Sequence, residues 1–161
     1  MAERRDFLPE TETKVPIIQP PGGGKVVGVL RDQSTFKVLS EQTNGAYAIL
    51  EQKIPAGHGP PLHVHRHETE IFYILDGQFE VIIGNKTVPA PTGAIVVGPR
   101  DIPHTFRNIG SSDGRLLLTV RGTLPTTSST WMAWAMTITP PFGRWPPNMT
   151  LRYWKDACLH V

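Results

Sequence analysis

Between Gly57 and Asn108 the chain places three histidines and a glutamate, His63, His65, Glu70 and His104, whose side chains can each give a lone pair to a metal. Successive side chains of an extended strand point to opposite faces, so His63 and His65 share one face. Glu70 follows across a turn expected at residues 66–69. It has the parity of Phe72 and Ile74, which starts the next strand on its inward face. His104, Phe106 and Asn108 alternate together on a later strand. Three imidazoles and a carboxylate therefore converge on one interior volume from three strands. Buried ionisable groups left unpaired are costly, and a divalent cation that binds all four removes that cost. Four protein ligands close a tetrahedral zinc site, whereas an octahedral metal keeps positions open to substrate, water or dioxygen. Imidazole-rich sites suit Fe, Mn, Ni, Cu and Zn alike, so the expected cofactor is one divalent transition metal of undetermined identity.

The elements that must carry these side chains are short, β-branched or aromatic, and punctuated by turn residues. Strands are expected at residues 25–30, 35–40, 46–54, 62–67, 71–75, 79–83, 87–88, 94–97, 104–109 and 115–120. Turns are expected at Asp32 to Ser34, Asn44-Gly45, Asp76-Gly77, Gly84-Asn85, Gly93, Pro99, Pro103 and Asp113-Gly114. Many short strands at this spacing indicate an all-β sandwich or barrel, and no segment before residue 148 has a helical period. Residues 1–24 read as an N-terminal arm, 25–123 as the barrel core and 124–161 as an aromatic-rich C-terminal segment that packs on the barrel or a dimer interface. That last segment holds all four tryptophans and the alternating Met132, Trp134, Met136 and Ile138, and a short helix capped by Asn148 is expected in it.

The fixed positions resemble a known pattern. Gly57, His63, His65, Glu70 and Gly77 match every fixed position of the first cupin motif. Gly93, Pro99, His104 and Asn108 match the second, with Asp101 where that motif has glycine. Aspartate tolerates positive φ better than most residues, so the turn is expected to survive. The resemblance implies a jelly-roll β-barrel (a double-stranded β-helix) that holds one metal through His63, His65, Glu70 and His104. Among cupins the chain is similar to small single-domain members of the quercetin-dioxygenase-like group. That likeness implies a metal-dependent oxidoreductase, a dioxygenase acting on a small aromatic or enolisable molecule, with Glu70 also serving as a catalytic base. The same metal used as a Lewis acid would instead give an isomerase, cyclase, dehydratase or decarboxylase, and a third reading is a small-ligand-binding module. Phe72, Ile74, Phe79, Val81 and Phe106 are candidates to line the substrate pocket. A homodimer is expected from family habit.

Other residues are expected outside the chemistry. His67 shares the parity of His63 and His65 but sits at the turn, so it faces solvent or stands behind a ligand. His58 and His160 are expected at the surface, Arg66 and Glu68 solvated, and Arg107 outward. Cys158 has no activating neighbour. A formal charge of +2 without a Lys/Arg block gives no electrostatic support for nucleic-acid binding. One cysteine excludes an intrachain disulfide and suits a reducing compartment. No apolar leader or membrane-length run is present, so a soluble cytoplasmic protein without a membrane partner is expected.

Overall fold

The computed structural model describes residues 16–29 and 32–121. The chain forms β1 (Lys25–Val29), β2 (Asp32–Val38), a 3-10 turn (Ser40–Thr43), β3 (Tyr47–Ile54), β4 (Glu70–Asp76), β5 (Gln78–Ile83), β6 (Lys86–Pro91), β7 (Ile95–Gly98), β8 (His104–Asn108) and β9 (Gly114–Arg121). Every strand pairing is antiparallel. A six-stranded sheet runs in the order β1-β2-β3-β9-β4-β7, and a three-stranded sheet in the order β6-β5-β8. This is the all-β jelly-roll architecture expected from the sequence.

Alternation builds the core. Ala48, Leu50 and Ile54 of β3, Phe72 and Ile74 of β4, and Leu116, Leu118 and Val120 of β9 turn inward from the large sheet. Phe79 and Val81 of β5 and Phe106 of β8 meet them from the small one. Each of these side chains other than Ala48 contributes about 1.5–3 kcal/mol when fully buried. The Ile83-to-Lys86 hairpin closes through Gly84 at φ 58, a first central turn position that favours glycine. At Asn44 (φ 51) and Gly45 (φ 79) the chain leaves the 3-10 turn for β3, so the Asn-Gly signal does mark a reversal. A four-residue 3-10 turn is too short to leave a periodic trace in sequence.

Two expected elements differ. Asp32 to Ser34 lie inside β2, paired with Val29, Gly28 and Val27, rather than forming a turn. Ser34 is tolerated there because the buried Gln52 amide donates to its hydroxyl at 3.0 Å. Residues 62–67 are not a regular strand: their one bridge pairs His63 with His104. Residues 57–63 run along the edge of β8 that β5 leaves open, with Gly57 N donating to Asn108 O (2.9 Å) and Asn108 N to His58 O (2.8 Å). Between those bonds and the His63 bridge stand Pro60 and Pro61, which have no N–H to offer a ladder. Thr105 Oγ1 instead donates to Pro60 O at 2.5 Å. The expected C-terminal helix, the tryptophans, Cys158, His160 and residues 1–15 of the arm lie outside the described residues.

Asp101 takes φ 63, as expected for the glycine position of the second motif. Its N–H donates to His65 O (2.7 Å), and Arg66 Nη1 donates to its carboxylate at 3.1 Å. Replacing Asp101 by glycine relieves the left-handed strain and loses one exposed ion pair, each worth about 1 kcal/mol or less. Thermal unfolding of Asp101→Gly should therefore differ from wild type by no more than about 1 kcal/mol.

Candidate metal centre

The first residue of β4 is Glu70, which pairs with Gly98 on one side and Val120 on the other and turns inward with Phe72 and Ile74. His104 is the first residue of β8. The His63–His104 bridge consists of two reciprocal main-chain hydrogen bonds, His63 N to His104 O (3.0 Å) and His104 N to His63 O (2.7 Å). These two histidines are thereby held with ring centroids 4.6 Å apart. His65 is fixed through its carbonyl by Asp101 N. The result is a buried cluster of His63, His65, Glu70 and His104 whose candidate ligand atoms all lie within 4.8 Å of one another.

All three Nε2 atoms face the Glu70 carboxylate, His65 at 3.0 Å, His104 at 3.2 Å and His63 at 3.7 Å. Two of the Nδ1 atoms face backbone carbonyls two residues upstream. His63 Nδ1–H donates to Pro61 O and His104 Nδ1–H to Ile102 O, both at 2.8 Å. A carbonyl can only accept, so each of these rings, when neutral, turns an Nε2 lone pair inward. Inward lone pairs beside a buried carboxylate need a shared positive charge, and the donor set suits a divalent metal.

Without a cation that charge is a proton. Burial pushes the Glu70 carboxyl upward, but the hydrogen bonds of His104, His63 and His65 outweigh it and hold Glu70 well below its ordinary value. Burial pushes His104 down, yet its contact with Glu70 raises it above the ordinary histidine value. The lowered Glu70 contributes stability above its unfolded pKa that is lost as pH falls through the folded one. The raised His104 contributes stability below its unfolded pKa that is lost as pH rises through the folded one. Metal-free protein should thus be most stable between the two unfolded values, about pH 4.3 to 6.5, and lose stability above that window. A metal must displace the His104 proton, so the melting-temperature gain on adding Zn²⁺ should grow from about pH 6 to 8.5 while metal-free protein declines. Parallel thermal melts across that range check both slopes.

Around the cluster, Phe72 lies with its ring centroid 6.1 Å from that of His104 and packs edge-on against Phe106 at 5.3 Å, which in turn meets Phe79 at 6.0 Å. Ile74 and Val81 are buried farther along the same core. His67 is exposed and Arg107 points outward to Glu80 (3.3 Å), both as expected. Arg66 is exposed but paired with Asp101. His58 is half-buried rather than at the surface, because its main chain is tied to β8. Glu68 is not solvated: its side chain is only 16% exposed and folds back so that Oε2 lies 3.8 Å from His65 Nδ1.

Sequence reasoning passed over Gly98. A Cβ there would lie 3.1 Å from three atoms of the His104 ring, tighter than ordinary van der Waals contact, so glycine lets the imidazole sit close against β7. The available signal was a glycine closing the β-branched run Ile95-Val96-Val97, where close approach by another group is one of the standard reasons for it. Gly59 was missed too: a Cβ there would collide with Phe106 O, which lets the segment before His63 lie flat against β8.

The chain is similar in sequence and fold to known proteins. The cupin domain family model matches residues 50–120, from within β3 into β9. An uncharacterized protein, MJ1618, of Methanocaldococcus jannaschii is 30% identical over 94 residues, 58% of this chain and 70% of that protein. An oxalate-binding protein of Thermotoga maritima is 31% identical over 77 residues, 48% of this chain and 64% of that protein. The chain spans only 40%, 36% and 36% of three other curated relatives. Among solved structures, a Thermotoga maritima protein described as a predicted oxalate decarboxylase superposes with TM-score 0.61 at 22% identity, over 65% of this chain and 98% of that one. Among the described residues, no helix is long and apolar enough to cross a membrane. With both motifs inside the matched segment and the two-sheet fold shared by the solved neighbour, the chain belongs to the cupin superfamily.

Proposed function

We propose that this protein is a metal-dependent enzyme that oxidises a small aromatic or enolisable molecule with dioxygen at the cluster of His63, His65, Glu70 and His104. The observation that carries this reading is the composition of the buried site: four metal donors, a single carboxylate among them, backed by Phe72 and Phe106. The four residues would hold one divalent transition metal, which when bound supplies redox chemistry and a positive charge beside the substrate oxygen. Glu70 is assigned the acid–base role, taking the proton of a substrate hydroxyl at a carboxylate oxygen. His63 and His104 are held in place by their main-chain bridge and the carbonyls of Pro61 and Ile102, and His65 by the Asp101 N–H at its carbonyl, so the donors are preorganised. Phe72, Ile74, Phe79, Val81 and Phe106 would supply an apolar surround that keeps water from the reacting centre.

Isomerisation or dehydration needs a proton donor as well as an acceptor, and one carboxylate inside the cluster fits enol oxidation better. The Lewis-acid reading is favoured by the likeness to the oxalate-binding protein, whose name describes a small dicarboxylate ligand. Decarboxylation would then use the same four donors with Glu70 as the proton carrier. Oxygen-electrode and anaerobic assays on phenols, enols and small dicarboxylates separate the two. Oxygen consumption tied to metal content supports oxidation. Carbon dioxide release without oxygen uptake overturns it in favour of decarboxylation, and loss of all turnover with full metal loading leaves a binding module. A homodimer in the cytoplasm is part of this reading, and sedimentation of the full chain measures the assembly.

A further inference from the structure

We infer that Glu68 is a positioning residue for His65, its carboxylate standing behind the imidazole on the side away from the cluster; the inference rests on the metal-centre reading above. The three histidines present their Nε2 atoms to the same point but are supported differently. His63 and His104 each pass the Nδ1 hydrogen to the carbonyl two residues upstream, Pro61 O and Ile102 O. For His65 the corresponding carbonyl is that of His63, and it accepts the His104 N–H at 2.7 Å as half of the bridge that joins the two motifs. The bend after His65 brings a carboxylate near that nitrogen instead: Glu68, three residues on, with Oε2 at 3.8 Å from Nδ1. The carboxylate is anchored there, since the same Oε2 accepts the His67 N–H at 3.3 Å and the side chain is largely buried.

A separation of 3.8 Å is too long for a hydrogen bond, and the contact is one between a carboxylate charge and the imidazole edge. Its effect is electrostatic: a negative charge beside Nδ1 favours the hydrogen on that atom and makes Nε2 a stronger donor. A carboxylate does this more strongly than a carbonyl dipole. His65 thus lies between two carboxylates, Glu70 at Nε2 (3.0 Å) and Glu68 at Nδ1 (3.8 Å), whereas His63 and His104 have a neutral carbonyl behind them. The cluster is accordingly asymmetric, with a second negative charge behind His65 alone, close enough to favour a dication.

The test is zinc affinity by chelator competition on the full chain, for wild type, Glu68→Gln and Glu68→Asp, with Glu80→Gln as the control for an equal change of charge at an exposed ion pair. Glu68→Gln should weaken zinc binding about 10-fold or more. Glu80→Gln should match wild type, and Glu68→Asp should recover part of the loss. Two-bond ¹H–¹⁵N spectra of the zinc-loaded protein should show His65 protonated at Nδ1, with a resonance that moves in Glu68→Gln while those of His63 and His104 stay. Unchanged affinity and an unmoved His65 resonance in a zinc-binding protein would overturn the role of Glu68 and leave the metal centre standing. Failure of wild type to bind zinc, iron, manganese, nickel or copper would overturn the metal-centre reading itself. Should Glu68→Gln not fold, the wild-type spectrum decides, because His65 protonated at Nε2 contradicts the inference.

Discussion

Replacing His104 by alanine is expected to abolish stoichiometric metal binding while the β-framework stays folded. His104 is fully buried, and its Nε2 lies 3.2 Å from Glu70, so it joins the donor supplied by β8 to the one supplied by β4. Four-ligand zinc sites bind with about 10–16 kcal/mol, so an even share per ligand is about 3 kcal/mol, or more than about 100-fold in affinity. The main-chain bonds between positions 63 and 104 do not need the imidazole and survive the substitution. Removing the ring leaves a small void beside Gly98 and Phe72, which costs about 2 kcal/mol, and takes one partner from the buried Glu70, whose carboxylate keeps His63 and His65. Elemental analysis of protein purified without added metal, with chelator competition on the reconstituted form, gives the answer. One equivalent of metal retained by a folded His104→Ala protein would show that the cluster is not the binding site.

Much of this site could be read before any coordinates, for a physical reason. A strand's two-residue period converts sequence parity directly into a face, so Glu70 with Phe72 and Ile74, and His104 with Phe106 and Asn108, could be placed inward from spacing alone. Turn chemistry was equally local: Asp101 was expected to accept positive φ, and it does so at φ 63. What spacing does not encode is which partner satisfies a group. His63 and His65 were assigned to a strand because they alternate, yet Pro60 and Pro61 deny that stretch a continuous ladder, and His63 is held by a single bridge to His104. Glu68 looked like a solvated turn residue because nothing in one dimension shows that the bend folds its carboxylate back on His65. Gly98 and Gly59 matter through atoms on other strands, His104 and Phe106, and such contacts have no local signature. The assignment of Asp32 to Ser34 to a turn failed for the related reason that Gln52, eighteen positions from Ser34, supplies the partner that lets a polar residue sit inside a strand.

Asn108 closes the second motif, and its expected effect is on the fold rather than on metal. Replacing it by alanine should destabilise the protein by about 3 kcal/mol, lowering the melting temperature by roughly 10 °C. The side chain is fully buried. Its amide nitrogen donates to Ile54 O at 2.9 Å and to Ser112 O at 2.8 Å, and its carbonyl oxygen accepts the Gly110 N–H at 2.9 Å. One side chain thereby ties the end of β3 to the turn between β8 and β9, and alanine leaves those three main-chain groups without it. The partner at Ser112 is exposed enough to find water, whereas Ile54 is fully buried, so most of the cost falls on the bond to its carbonyl. Asn108→Asp is nearly isosteric and should be worse than alanine, because it sets a carboxylate oxygen against two carbonyl oxygens in a buried position. Zinc affinity in Asn108→Ala should stay within a few-fold of wild type, since His104 is fixed at the opposite end of β8 by its own bridge to His63. Calorimetry and chelator competition on the same two variants separate the roles. A loss of metal without a loss of stability would mean that Asn108 reaches the site, and the reverse means that the last position of the motif holds together the scaffold on which the other four depend.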